Sequence, residues 1–233
     1  MVGIKHPPPT VVTNSDFRFI VSEQLNEIGI DPGAVIIEPE GKNTAPAIIA
    51  AALYLTKENP EAIMLVAPSD HVIPDTSAFS QAIKRGLKAV SKSEIVTFGV
   101  KPSHPETNYG YLRLEEASSV EPVKLSRFIE KPEYAKAKEM VSDNLFLWNA
   151  GIFLFKAKDI IDAFKKYALE LMENVELAVE NGRADLGFYR LDPTAWSNVE
   201  NISIDYAIME KASNVSVVPF NSNWSDLGGW RAV

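Results

Sequence analysis

The sequence predicts an α/β fold: a mainly parallel, Rossmann-like sheet with helices on both faces and a small antiparallel excursion. Three observations carry this. Apolar runs at residues 34–37, 63–67 and 95–100 alternate with stretches whose apolar residues recur at helical spacing, the rhythm of a helix-covered parallel sheet. The run Ile63-Met64-Leu65-Val66-Ala67 is unbroken, as suits a strand buried on both faces, and stops at Pro68-Ser69-Asp70-His71. Between residues 109 and 129 the rhythm changes, and two β-like segments follow one another with no helix between them.

In chain order, Val11 and Val12 read as a short strand. Asn14 and Ser15 offer a cap for a helix with Phe17, Ile20, Val21, Leu25 and Ile28 at helical spacing, and Gly29 ends it. After the strand at 34–37, Thr44 is placed to cap a small-sided helix to about Lys57, with Pro46 in its first turn. Asp75 caps the next helix, whose apolar positions are Phe79, Ile83, Leu87 and Val90. Residues 109–114 and 123–129 form the β excursion, a short charged helix follows Pro132, and residues 148–155 return to strand. One long helix is expected over 159–180, a short one over 204–211 capped by Ser203, and a last strand over 215–220. There is no repeat or linker, so residues 1–233 read as one domain.

With 233 residues and 46% hydrophobic content, the chain can bury a sizeable core. A net charge of −8 argues against nucleic acid as a partner, since such domains carry a basic face. Without cysteine there is neither disulfide nor thiolate chemistry, and three scattered histidines do not make a zinc site. The opening residues lack the apolar core of a signal peptide, and the longest apolar stretch, 45–55, is too short to span a bilayer. A cytoplasmic protein with no membrane partner is expected.

Four polar clusters fall at strand ends or helix starts. Gly41-Lys42-Asn43-Thr44 precedes a helix, where backbone N–H groups favour an anion or carbonyl oxygen; an ordinary capping loop has the same composition. Asp70 and Asp226 each follow an apolar strand, and such carboxylates are either turn residues or ligands of a hard cation such as Mg²⁺. Glu130 and Lys131, set before Pro132, suit a sugar hydroxyl and a phosphate, or a surface ion pair. Asn108-Tyr109-Gly110-Tyr111 and Trp148-Asn149-Ala150-Gly151 place glycine beside aromatic and amide groups, which serves sugar contact or core packing alike.

Together these clusters resemble the bacterial mannose-1-phosphate guanylyltransferases, a branch of the nucleotide-sugar pyrophosphorylases. The run Glu38-Pro39-Glu40-Gly41-Lys42-Asn43-Thr44-Ala45-Pro46-Ala47-Ile48 is similar to a long, specific segment of that family. Ala67-Pro68-Ser69-Asp70-His71, Asn108-Tyr109-Gly110-Tyr111, Phe128-Ile129-Glu130-Lys131-Pro132, Trp148-Asn149-Ala150-Gly151-Ile152-Phe153 and Trp224-Ser225-Asp226-Leu227-Gly228 follow in the family's order.

The resemblance implies a nucleotide-diphospho-sugar transferase fold and the reaction of GTP with mannose 1-phosphate to give GDP-mannose and pyrophosphate. It implies that Glu38, Pro39, Gly41, Asn43, Thr44 and Ala45, with Ser69 and Asp70, bind the nucleotide. Asp70 and Asp226 would hold Mg²⁺, Glu130 and Asn149 would contact mannose, and Gly110 would present its backbone to the sugar. Lys131 would clamp the sugar phosphate electrostatically, which with the two aspartates makes the catalytic set. The family's glycine-rich loop, G-G-x-G-[ST]-R-L-x-P, has no counterpart in residues 1–35, and its C-terminal β-helix and cupin-like isomerase domain are also absent. The chain is therefore expected to be a partial nucleotidyltransferase domain lacking the first β-α region, poorly active or inert by itself and without mannose-6-phosphate isomerase activity. A sheet lacking its first strand would leave an edge open to a second copy, so a homo-oligomer stays open. Two other functions remain alongside: a non-catalytic sugar-nucleotide-binding subunit, and a nucleotide-sugar-dependent glycosyltransferase, although no D-x-D pair follows the strand at 63–67.

Overall fold

The computed structural model describes residues 6–118, 120–220 and 224–226; Met1 to Lys5, Asn223 and the motif residues Leu227 and Gly228, with Gly229 and Trp230, lie outside them. The elements begin β1 (Thr10–Asn14), α1 (Arg18–Glu27), β2 (Ala34–Glu38), α2 (Thr44–Thr56), β3 (Ile63–Val66), α3 (Thr76–Val90), β4 (Ile95–Val100), β5 (Tyr111–Leu114) and β6 (Val123–Ile129). They continue with α4 (Tyr134–Val141), β7 (Phe146–Lys156), α5 (Ala157–Tyr167), α6 (Leu169–Glu180), β8 (Arg183–Asp185), β9 (Phe188–Arg190), α7 (Pro193–Ser197), a single π-helical turn Asp205–Met209, and β10 (Val215–Pro219). The chain divides into two compact units, one holding Ile63–Asp159 and the stretch from Ala212, the other Lys5–Ala62 and Ile160–Lys211.

The first unit is built on a six-stranded sheet in the order β3-β7-β4-β10-β6-β5. β4 and β10 pair in parallel, and β7 runs antiparallel between β3 and β4, so β3, β4 and β10 share one direction. The mixed α/β architecture stands, with more antiparallel pairing than the one excursion expected. β4 is buried along its whole length, and Phe98 packs edge-on to Phe79 of α3 and to Phe220. β3 departs from expectation: it is an edge strand paired only to β7, and Ile63 at its start is 49% exposed. Both of its faces are still partly covered, with Met64 buried and its neighbour Leu65 packed against the core.

The second unit carries the sheet β1-β2-β9-β8, with β1, β2 and β9 parallel and β8 turning back antiparallel. Val35, Ile36 and Ile37 of β2 are buried, as are Ala45, Ile48, Ile49, Ala50 and Ala52 of α2. The small side chains of α2 let it pack against α6, which buries Leu171, Met172, Val175, Ala178 and Val179. The single helix expected over 159–180 is two helices, broken where Ala168 leaves helical geometry at φ −150° and ψ 54°. No glycine or proline marks that break, so tertiary packing sets it. Thr44 is not the cap of α2. Asn43, at φ 72°, takes that place, its side-chain oxygen accepting the Thr44 N–H. Asp75 caps α3 through the Ala78 N–H at 2.8 Å, as read from the sequence.

Candidate functional site

At the exit of β3 the chain runs through Ser69, Asp70 and His71 to Val72, which exchanges two backbone hydrogen bonds with Ser225 at 2.8 and 3.1 Å. In an antiparallel bridge the residue after one partner stands beside the residue before the other, so Asp226 comes alongside His71. The electrostatics agree. Burial pushes the His71 pKa down, and the Asp70 and Asp226 carboxylates both act to raise it. The Trp224 indole N–H donates to His71 Nδ1 at 3.3 Å, which leaves the proton of the neutral ring on Nε2. Asp70 Oδ1 lies 4.0 Å from that Nε2, and the Asp70 side chain is 71% exposed.

Asp226 is fixed from a second side. The Tyr109 hydroxyl donates to Asp226 Oδ1 at 2.8 Å. Burial, then the hydrogen bond to Asp226, pushes that hydroxyl's pKa well up, so it stays a donor across the working range. Tyr109 is wedged edge-on between Trp148 and Trp224, with ring centres 5.3 and 5.4 Å away. Two carboxylates and no thiolate suit Mg²⁺, which takes one or two protein carboxylates and completes its shell with water and phosphate oxygens. Among the described residues no set of three or more His, Cys, Asp or Glu converges as a metal cage, so water and phosphate oxygens would have to supply the remainder.

The sugar-contact candidates meet in the same unit. The Asn149 N–H donates to the Gly110 carbonyl at 2.8 Å. A Cβ on Gly110 would stand 2.7 Å from Glu130 Oε2 and 2.9 Å from the Phe128 ring, so Glu130 and Phe128 close over Gly110, with Asn149 on the neighbouring strand. Gly151, at φ +65°, lies against the His71 ring, which links this group to the carboxylates. The Glu130 side chain is 11% exposed, whereas that of Lys131 is 61% exposed, with Nζ 3.7 Å from Glu130 Oε1. Lys131 also holds a left-handed backbone at φ 44°, an unfavourable conformation for its type. Gly110→Ala is expected to push Glu130 out of position and to lower stability by about 1–3 kcal/mol, because the buried Phe128 ring cannot give way. A melting curve equal to the parent's would contradict this.

The nucleotide candidates from Glu38 to Ala45 belong to the second unit. Glu38 is 9% exposed, burial alone lifts its carboxyl to about 7, and its Oε1 meets no donor among the described residues. The start of α2 is not an open anion cradle. The Thr44 N–H goes to Asn43, the Ala45 N–H donates to the Ile202 carbonyl at 3.2 Å, and Thr44 Oγ1 accepts the Ile204 N–H. Pro39 lines a cleft of about 420 Å³ with Ser15, Arg183 and Arg190, and Gly41 faces open space. Ser69 is exposed beside Asp70. His71, Tyr109 and Trp224 were not singled out from sequence, although each sits inside a motif quoted there.

A family model described as nucleotidyl transferase matches residues 3–233. Among curated proteins, the xanthan biosynthesis protein XanB of Xanthomonas campestris pv. campestris (strain B100) is 40% identical over 97% of this chain and 48% of its own length. The mannose-1-phosphate guanylyltransferase of Escherichia coli K12 is 38% identical over 99% of the chain and 50% of its own length. The chain thus spans about half the length of the curated relatives it matches. Two solved structures are each 31% identical: a Helicobacter pylori protein described as mannose-6-phosphate isomerase, and a Thermus thermophilus protein described as mannose-1-phosphate geranyltransferase. The first superposes with a TM-score of 0.84 over 93% of this chain and 84% of its own; the second gives 0.81 over 96% and 62%.

Proposed function

The chain belongs to the nucleotidyl transferase family, and from that premise we propose that it forms GDP-mannose and pyrophosphate from GTP and mannose 1-phosphate, with Mg²⁺, in the cytoplasm. The observation that carries the proposal is the gathering of Asp70 and Asp226 about one imidazole, with Gly110, Glu130 and Asn149 adjoining. The curated relatives add the substrate class, since the Escherichia coli protein is named for guanylyl transfer to mannose 1-phosphate. Residues 1–233 then act as part of one nucleotidyltransferase domain, an assignment the span of the family match supports. No helix among the described residues is long and apolar enough to cross a membrane, which accommodates the location.

In this reading an oxygen of mannose 1-phosphate forms a bond to the α-phosphorus of GTP as the bond to the departing pyrophosphate breaks. Such transfers need little covalent help from protein, and positioning with charge neutralisation supplies the catalysis. Asp70 and Asp226 would hold Mg²⁺, which would supply neutralisation of charge on the nucleotide phosphates. Tyr109 keeps the Asp226 carboxylate aimed by donating to one of its oxygens. Glu130 and Asn149 hydrogen-bond mannose hydroxyls, the missing Cβ of Gly110 leaves room for the Glu130 carboxylate, and Lys131 reaches the sugar phosphate from an exposed position. Glu38 brings a buried acceptor that meets no donor among the described residues, which suits an N–H of the base or a ribose hydroxyl.

The test is pyrophosphate release from GTP and mannose 1-phosphate, with and without Mg²⁺. Mg²⁺-dependent release, lost when EDTA is added, is expected. Release only with another nucleoside triphosphate or sugar phosphate would overturn the substrates. GDP-mannose binding with no turnover and no Mg²⁺ dependence would favour a binding subunit instead.

A further inference from the structure

We infer that the cleft lined by Arg183 and Arg190 is a binding site for the phosphate group of a small ligand, held by the two guanidinium groups. All of its lining belongs to the second unit. β1, β2 and β9 run parallel there, and Ser15, Pro39 and Leu191 are the residues that follow their ends. All three line the cleft, which therefore opens at the carboxyl ends of the strands, where α/β sheets take their ligands. β8 turns back beside β9 and sets Arg183 directly opposite Arg190. Opposite residues of an antiparallel pair share a face, and like charges placed so repel and weaken the pairing.

The protein relieves only one of these charges. Asp185 Oδ2 lies 2.6 Å from Arg190 Nε, and Arg190 Nη1 donates to Ser15 Oγ at 3.1 Å. That guanidinium is held from two sides and still has N–H groups to spare. Arg183 is exposed and makes no ion pair or side-chain hydrogen bond among the described residues. Asp192, the carboxylate on the lining, turns its Oδ1 to the Ala195 N–H at 2.8 Å as the cap of α7. The Ser15 hydroxyl, accepting from Arg190, keeps its own proton to give. Two guanidinium groups and a hydroxyl suit a tetrahedral dianion, whereas one guanidinium satisfies a carboxylate. The buried Ile37 and Leu191 add apolar side chains to the lining, and about 420 Å³ is the size of a small-molecule site. The phosphate has two sources. One is the nucleotide, since Pro39 is among the nucleotide candidates; the other is a separate phosphate ester.

The experiment titrates inorganic phosphate into the parent, Arg183→Gln and Arg183→Lys in EDTA, at constant ionic strength, and follows the melting temperature and the calorimetric affinity. Phosphate is expected to raise the parent's melting temperature, with affinity about tenfold weaker in Arg183→Gln and intermediate in Arg183→Lys. In chloride alone Arg183→Gln should melt at or above the parent, because a repelling charge has gone. A parent that phosphate stabilises no more than chloride would overturn the site, as would equal phosphate affinity in all three proteins. Arg183→Gln melting below the parent in chloride would make Arg183 a structural residue and overturn the proposal too. GTP titrated in EDTA then identifies the source. Affinity that falls with that for phosphate in Arg183→Gln assigns the cleft to the nucleotide, and unchanged affinity assigns it to a separate phosphate ester.

Discussion

Replacing Asp226 by Asn is expected to remove most of the Mg²⁺ dependence of GDP-mannose binding, with affinity in saturating Mg²⁺ falling on the order of a hundredfold. The substitution is nearly isosteric, and an Asn oxygen can still accept the Tyr109 hydroxyl that Asp226 Oδ1 accepts at 2.8 Å. The fold and the aromatic wedge around Tyr109 should therefore persist while the charge goes. A hard cation binds carboxylates through that charge, and where Asp70 and Asp226 share it the loss of either leaves the other alone. Calorimetry of parent and variant, with Mg²⁺ and with EDTA, checks this. Affinity that is unchanged, or that falls equally in EDTA, would take Asp226 out of the cation site.

Glu38→Gln should stabilise the protein at pH 8 by about 2–3 kcal/mol, an advantage that vanishes toward pH 5. Burial lifts the Glu38 carboxyl from 4.5 to about 7 in the folded chain. Between those values the folded state holds a proton that the unfolded state has released, so stability falls as pH rises through this window. Above the folded value the full cost of burying the charge is present; below 4.5 both states are protonated and it is gone. Glutamine never carries the charge and should show no such slope. The same group should make GDP binding pH-dependent if it accepts from the nucleotide, rising roughly tenfold from pH 6 to 8 in the parent and less in the variant. Melting curves across pH measure the first effect, and a parent-to-variant difference that is flat with pH would contradict it.

The parts of this fold that local chemistry dictates were legible in the residues. Asp75 reads as a cap because its carboxylate needs only the N–H of Ala78, three positions on. The strand at 95–100 reads as a strand from its apolar residues, but nothing along the chain singles out Thr97 within it. Its partner, Asn149, is 52 positions away, and only the register of β4 against β7 brings them together. The β8–β9 hairpin was missed for a local reason. Its strands are short, and its turn uses Leu186 and Gly187, both at positive φ, where Asn-Gly would have been the recognisable signal. The break at Ala168 carries no residue signal at all, and the apolar stripe continues across it.

The site was legible in its types and not in its wiring. Asp70, Asp226, Gly110, Glu130 and Asn149 were all candidates from their positions at strand ends, and the structure gathers them in one unit. Asn43 in place of Thr44 as the cap of α2 shows where such reading stops, since Thr44 spends its hydroxyl on the Ile204 N–H, a contact across 160 positions. The roles of His71, Tyr109 and Trp224 depend on the bridge between Val72 and Ser225, which no spacing along the chain announces.

The most direct measurement is a crystal structure of the chain with GDP-mannose and Mn²⁺ in place of Mg²⁺, the cation located by its anomalous signal. One Mn²⁺ bound by Asp70 and Asp226 and touching the diphosphate, with the mannose against Glu130 and Asn149, is the result expected. A cation held elsewhere, or a diphosphate bound with neither aspartate near a metal, would contradict the proposal at its root.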